Sequence, residues 1–150
     1  GFLISYLIKG NPDLHLEGID ISETALAICS KLNPGIPLKR ADICHLPFTD
    51  SSFDLVLCTE VLEHLDNPQM ALHELRRVSK EFCLLSVPHE PYFRIANFIR
   101  GKNIARMGND PEHLHNWRRS EFVKLVEPYL NILAIHNSFP WVIILGRKRR

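Results

Sequence analysis

Apolar positions Phe2, Leu3, Tyr6 and Leu7 recur at helical spacing until GNPD at 10–13 interrupts them. LHLEGID at 14–20 predicts a strand that ends on an acid, Asp20. Ser22 is placed to cap ETALAICSKLN, whose Ala25, Cys29 and Leu32 share a face. After the turn NPGIP, PLKRADI predicts a short strand with a second acid at its end, Asp42. CHLPFTDSS is a loop, and FDLVLCT at 53–59 is the near-continuous apolar run of a strand covered on both faces. EVLEHL predicts a short helix. Asn67 can cap the next one, with Pro68 at its first position and Ala71, Leu75 and Val78 turned inward. FCLLSVP is a further buried strand. Residues 89–119 come next as an irregular insertion rich in His, Arg and aromatics. Ser120 can cap EFVKLVEPY, and LNILAIHNS and WVIILGRK close the chain as an antiparallel strand pair.

Strands alternating with helices imply right-handed crossovers. The expected fold class is therefore α/β, a Rossmann-like doubly wound, mostly parallel sheet with a C-terminal antiparallel pair. A length of 150 residues fits a single domain spanning 1–150. A net charge of +1 gives no global attraction to nucleic acid, so no nucleic-acid partner is expected. The closing GRKRR reads as a solvated tail. Cys29, Cys44, Cys58 and Cys83 form no CxxC pair, which suggests reduced thiols and a cytoplasmic protein. Ligands of such sheets bind beyond the carboxyl ends of strands. Asp20, Asp42 and the CTE segment at 58–60 all fall at such ends.

EGIDIS, ADICHLPFTDSSFDLVLCTEVLEHLDNP and the closing strand pair resemble the class I S-adenosylmethionine-dependent methyltransferases. The resemblance is to their small-molecule branch, which includes ubiquinone and menaquinone biosynthesis enzymes. It implies S-adenosylmethionine as cofactor. Asp20 would take both ribose hydroxyls, because a carboxylate has acceptor capacity for two protons. Ile21 is next to it in the same loop. Asp42 would accept from the adenine amino group and the Ile43 amide would donate to a ring nitrogen. Cys58, Thr59 and Glu60 would pass the methionine end, with Leu46 and Leu62 as walls. The family's GxGxG loop and the strand before it are missing; Gly1 matches only the last glycine. The expectation is an N-terminally truncated portion lacking about 40 residues, on typical domain size.

Methyl transfer needs alignment and water exclusion more than covalent help. His113 and His115, and His89 just past the FCLLSVP strand, are the candidates for a general base. At 100° per residue, Glu60, Glu63 and His64 share a helix face, expected to be a solvated one with no metal bound. Divalent-metal chelation by Glu60, Glu63 and His64 is the alternative, with His113 and His115 as the only completing pair. Tyr92, Phe93, Ile95, Ala96 and Phe98 interleave with Arg94 and Arg100, as in a lid over an apolar acceptor or a peripheral membrane contact through 91–101.

The leading expectation is methyl transfer to a small, apolar or lipid-like acceptor. The alternatives are a metal-dependent RNA 2′-O-methyltransferase and a non-catalytic methyltransferase-like binding module.

Overall fold

The computed structural model describes residues 1–149, apart from the side chain of Ala105. The chain forms two compact units divided after Pro47.

In the first unit, α1 (Phe2–Gly10) precedes β1 (Gly18–Asp20), α2 (Glu23–Leu32) and β2 (Leu38–Arg40). Strands β1 and β2 pair in parallel, with Asp20 opposite Arg40. The predicted strand at 14–20 shortens to three residues, because β2 offers only three partners and Leu14 is exposed. The helical stripe of α1 also differs from expectation. Phe2 and Tyr6 are exposed, and the half-buried residues are Ile4, Ser5, Leu7 and Ile8. Gly18 lies close to β2: a Cβ there would stand 2.7 Å from Leu38 Cδ2, so a side chain would have to displace the tip of Leu38. Ser22 caps α2 as expected, its hydroxyl accepting from the Ala25 amide at 3.2 Å.

In the second unit, β3 (Phe53–Thr59) pairs in parallel with β4 (Ser79–Pro88). The crossover between them is α3 (Pro68–Val78). After α4 (Tyr92–Ile99) and α5 (Arg119–Val126), the chain returns as β5 (Leu130–Ser138) and β6 (Trp141–Lys148). The strand order is β3-β4-β6-β5, with β6 antiparallel to both neighbours. Strands β3, β5 and β6 begin and end where the sequence runs place them, and β4 starts at Ser79, ahead of FCLLSVP. The core gathers Leu72, Leu75 and Val78 of α3, Leu85 and Ile144 of the sheet, and Phe122 and Val126 of α5, all nearly or fully buried.

Asn67 caps α3, its Oδ1 accepting from the Met70 amide at 3.3 Å. Asn67→Ala should therefore lower the unfolding free energy by about 1 kcal/mol in chemical denaturation. The cap of α5 differs from the Ser120 expectation. The helix starts at Arg119, and Glu121 reaches back to the Arg118 amide at 2.7 Å. The basic C-terminus is not a solvated tail through 148. Lys148 Nζ donates to the Ser79 carbonyl at 2.8 Å, and Arg147 pairs with Glu81 at 2.9 Å. Arg150 lies outside the described residues. Among the described residues no helix is long and apolar enough to cross a membrane.

Candidate functional site

Two acids occupy the carboxyl edge of the β1/β2 sheet. Asp20 ends β1 and is exposed; its Oδ1 accepts from the Ser22 amide at 2.8 Å. That bond shapes the turn into α2 and uses one lone pair, leaving acceptor capacity on the carboxylate. Asp42 lies two residues beyond β2, with Oδ1 accepting from the Cys44 amide at 2.8 Å and Oδ2 3.6 Å from His45 Nδ1. The Ala41 amide donates to the Asp20 carbonyl at 3.2 Å, which ties the two strand ends together. Ile21 is exposed, Ile43 half-buried and Leu46 buried. Arg40 pairs with Glu23 at 2.9 Å and donates to the Ile21 carbonyl, holding the loop after Asp20. The Gly1 carbonyl accepts from the Asn33 side chain at 3.0 Å, and a Cβ on Gly1 would press on the Cys29 Cα at 3.2 Å. Glycine at this position lets α1 start close against α2.

In the second unit, Cys58 is buried and Thr59 half-buried, with Glu60 just past the carboxyl end of β3. Glu60 has φ +56°, a left-handed conformation uncommon for a non-glycine residue. Its carboxylate accepts from Trp141 Nε1 at 2.6 Å and from Ser86 Oγ at 3.1 Å. Burial raises the Glu60 pKa, and the Trp141 and Ser86 hydrogen bonds oppose that rise. Burial also pushes the Cys58 thiol far up, so it stays protonated. Trp141 and Ser86 carry no signal in the sequence, because their meeting with Glu60 depends on β4 lying beside β3 and β6 beside β4.

The left-handed turn at Glu60 redirects the chain into the next segment. Leu62–His64 is a single 3₁₀ turn rather than an α-helix, so the 100° spacing that put Glu60, Glu63 and His64 on one wet face does not apply. Leu62 is fully buried, so it walls no open surface. Glu63 is 1% exposed, not solvated, and neither carboxylate oxygen has a hydrogen-bond partner among the described residues. Burial, with a smaller contribution from the Glu60 charge, pushes its carboxyl up to about 8. Glu60 therefore stands apart, held by Trp141 and Ser86, while Glu63 and His64 are joined by His113.

The three candidate histidines separate. His115 Nε2 meets the Leu65 carbonyl at 2.9 Å, and its ring stacks on Trp117 at 4.9 Å. A nitrogen facing a carbonyl oxygen must carry the proton, so Nε2 of His115 is a donor with a packing role. His113 packs edge-on to His64, with ring centroids 4.9 Å apart. His89 lies just past β4 with its ring 4.9 Å from Tyr92, and burial lowers its pKa, which favours the neutral imidazole.

A family model described as a methyltransferase domain matches residues 1–85. A 65-residue segment covering 41% of the chain is 46% identical to an uncharacterized protein of Methanocaldococcus jannaschii, of which it covers 28%. A 75-residue segment, 46% of the chain, is 33% identical to the demethylmenaquinone methyltransferase of Lactobacillus johnsonii and covers 31% of it. The chain thus spans under a third of the length of these curated relatives. Among solved structures, an S-adenosylmethionine-dependent methyltransferase from Mesorhizobium loti superposes with a TM-score of 0.68 at 14% identity. That superposition covers 89% of this chain and 80% of the other, a likeness of fold.

Proposed function

Because the chain belongs to the methyltransferase domain family, we propose that the protein carrying it transfers a methyl group from S-adenosylmethionine to a small, apolar or lipid-like acceptor. The observation that carries this reading is the pair of acids at the carboxyl edge of β1 and β2. When bound, S-adenosylmethionine supplies an activated methyl group on a positively charged sulfur. Asp20 accepts from the two ribose hydroxyls through the lone pairs that the Ser22 amide leaves unused. Asp42 accepts from the adenine amino group, beside the Ile43 amide. Gly1 and Ile21 lie in the loops that flank the cofactor. In the second unit, Trp141 and Ser86 hold the Glu60 carboxylate in one orientation, just past Cys58 and Thr59 at the carboxyl end of β3. His89, whose pKa burial lowers, is the group that takes a proton from the acceptor, with Tyr92 setting its ring.

The acceptor class rests on α4. Tyr92, Ile95, Phe98 and Ile99 of this helix are exposed, and Arg94 and Arg100 accompany them. Exposed apolar side chains flanked by cations suit an apolar acceptor or the surface of the membrane that holds it. The Lactobacillus johnsonii relative, named for a quinone precursor, fits the same class.

Asp20→Ala removes charge-assisted hydrogen bonds, each worth roughly 1.5–3 kcal/mol. Calorimetry on the protein carrying this chain should show S-adenosylmethionine affinity reduced about tenfold or more. Equal affinity in the wild type and Asp20→Ala would remove Asp20 from the cofactor site.

A further inference from the structure

The 3₁₀ turn at Leu62–His64 and the insertion segment at 110–115 are stitched together by backbone bonds. The Leu114 and His115 amides both donate to the Glu63 carbonyl, at 2.9 and 3.1 Å. His64 Nδ1 meets the Glu112 carbonyl at 2.9 Å, and His115 Nε2 meets the Leu65 carbonyl. This seam encloses Glu63, whose carboxylate is almost wholly buried and unpartnered among the described residues. Burying a carboxylate without partners is expensive, and such groups in folded proteins pair with cations or coordinate metals. Among the described residues no Lys or Arg forms an ion pair with it. Its neighbours are imidazoles: His64 Nε2 lies 4.0 Å from Glu63 Oε1. Glu63, His64 and His113 each offer a ligand atom, and the three atoms lie within 4.8 Å of one another.

We propose that Glu63, His64 and His113 form a binding site for a divalent first-row transition metal of the zinc class, which clamps the 110–115 segment onto the turn after β3. Three features point to a metal rather than to a polar cluster of no consequence. First, the His64 ring is already prepared as a ligand. Its Nδ1–H donates to the Glu112 carbonyl, which fixes the tautomer with the lone pair on Nε2, the outer-shell arrangement usual for metal-bound histidine. Second, His113 Nδ1 is buried and unpartnered, as the Glu63 oxygens are. Asp110 and Glu112 add negative potential at this ring. A cation would satisfy the orphaned atoms together. Third, His64 is exposed enough to give an ion a path from solvent.

The donor set selects the ion. Two imidazoles and one carboxylate suit zinc, cobalt, manganese or iron, whereas magnesium and calcium favour all-oxygen sets. Bonds of about 2.0–2.2 Å require ligand atoms to draw in to roughly 3.3 Å, which side-chain rotation can supply. Glu60 is not part of the set, because Trp141 and Ser86 occupy its carboxylate. With three protein ligands, the coordination sphere keeps open positions for water or a substrate oxygen.

The test uses metal-stripped, untagged protein titrated with cobalt(II), read by its visible ligand-field bands, and with zinc and magnesium by calorimetry. One equivalent of cobalt giving the intense bands of a four- or five-coordinate ion, displaced by zinc and not by magnesium, is the expected result. Glu63→Gln keeps the shape of the side chain and removes the charge, so it should fold and bind cobalt at least tenfold more weakly. Circular dichroism checks its fold. His113→Ala should lose the signature as well, while Glu60→Gln should keep it. Absence of cobalt bands and of zinc heat in the wild type would overturn the proposal. So would unchanged binding in folded Glu63→Gln, or loss of binding in Glu60→Gln equal to that in Glu63→Gln. Failure of S-adenosylmethionine binding has no bearing on these readouts, so this site and the methyltransferase reading stand or fall separately.

Discussion

Phe122→Ala should destabilise the second unit by about 3–5 kcal/mol, the range for deleting a fully buried aromatic ring. The ring has no solvent exposure and sits on the buried side of α5. It also supports a stack. Trp117 lies against it with centroids 5.9 Å apart, and His115 stacks on Trp117. Removing Phe122 therefore leaves a cavity and loosens the segment that His115 joins to the Leu65 carbonyl. Urea denaturation monitored by far-ultraviolet circular dichroism measures the loss. A change below about 1 kcal/mol would mean that the ring is not the keystone of this packing, since core truncations of this kind do not fall so low.

The second large effect is expected at Gly108, in the return from α4. Its φ is +81°, and a Cβ there would lie 2.0 Å from the Arg94 carbonyl oxygen, a contact with backbone that no rotamer change relieves. The Gly108 carbonyl accepts from the buried Asn97 side chain at 3.2 Å, and its amide donates to the Asn103 carbonyl at 2.9 Å. Gly108→Ala should cost about 2–4 kcal/mol, combining overpacking with a left-handed conformation that L-residues resist. The loss should be local. Amide exchange should accelerate at Arg100, Lys102 and Gly108, while amides of the β4/β6 ladder keep their protection. Exchange rates at the first three that match the wild type would show that the loop accepts a side chain there.

The apolar runs made β3, β5 and β6 legible, because each is long and lies in a sheet whose neighbours hide at least one face. The residues 89–119 were legible only as an insertion, although they hold α4. Aromatics interleaved with arginines give a helix no clean polar face until its packing is known. Ser120 attracted the cap of α5 by residue type, but Glu121 reaching back to Arg118 set the start earlier than the apolar pattern suggested. The acids at 20 and 42 could be placed from sequence, because each follows a short stretch with strand character that a turn or loop then ends. Glu63 could not. Its assignment to a wet face assumed helical periodicity from Glu60 onward, and the left-handed φ of Glu60 breaks that periodicity. Nor could the Glu60–Trp141 hydrogen bond be foreseen, since it joins residues 81 apart through the order of strands in the sheet. His113 was visible as a candidate general base, and the fold instead puts its ring against His64 and Glu63.

The central proposal is that the protein carrying this chain uses S-adenosylmethionine to methylate an apolar acceptor. The most direct measurement incubates the protein carrying the chain with methyl-labelled S-adenosylmethionine and a total lipid extract, then separates organic-soluble label from label in added RNA. The account predicts label in the organic phase, reduced about tenfold or more by Asp20→Ala at limiting cofactor. Label confined to RNA would contradict the acceptor class. No binding of S-adenosylmethionine would contradict the account as a whole.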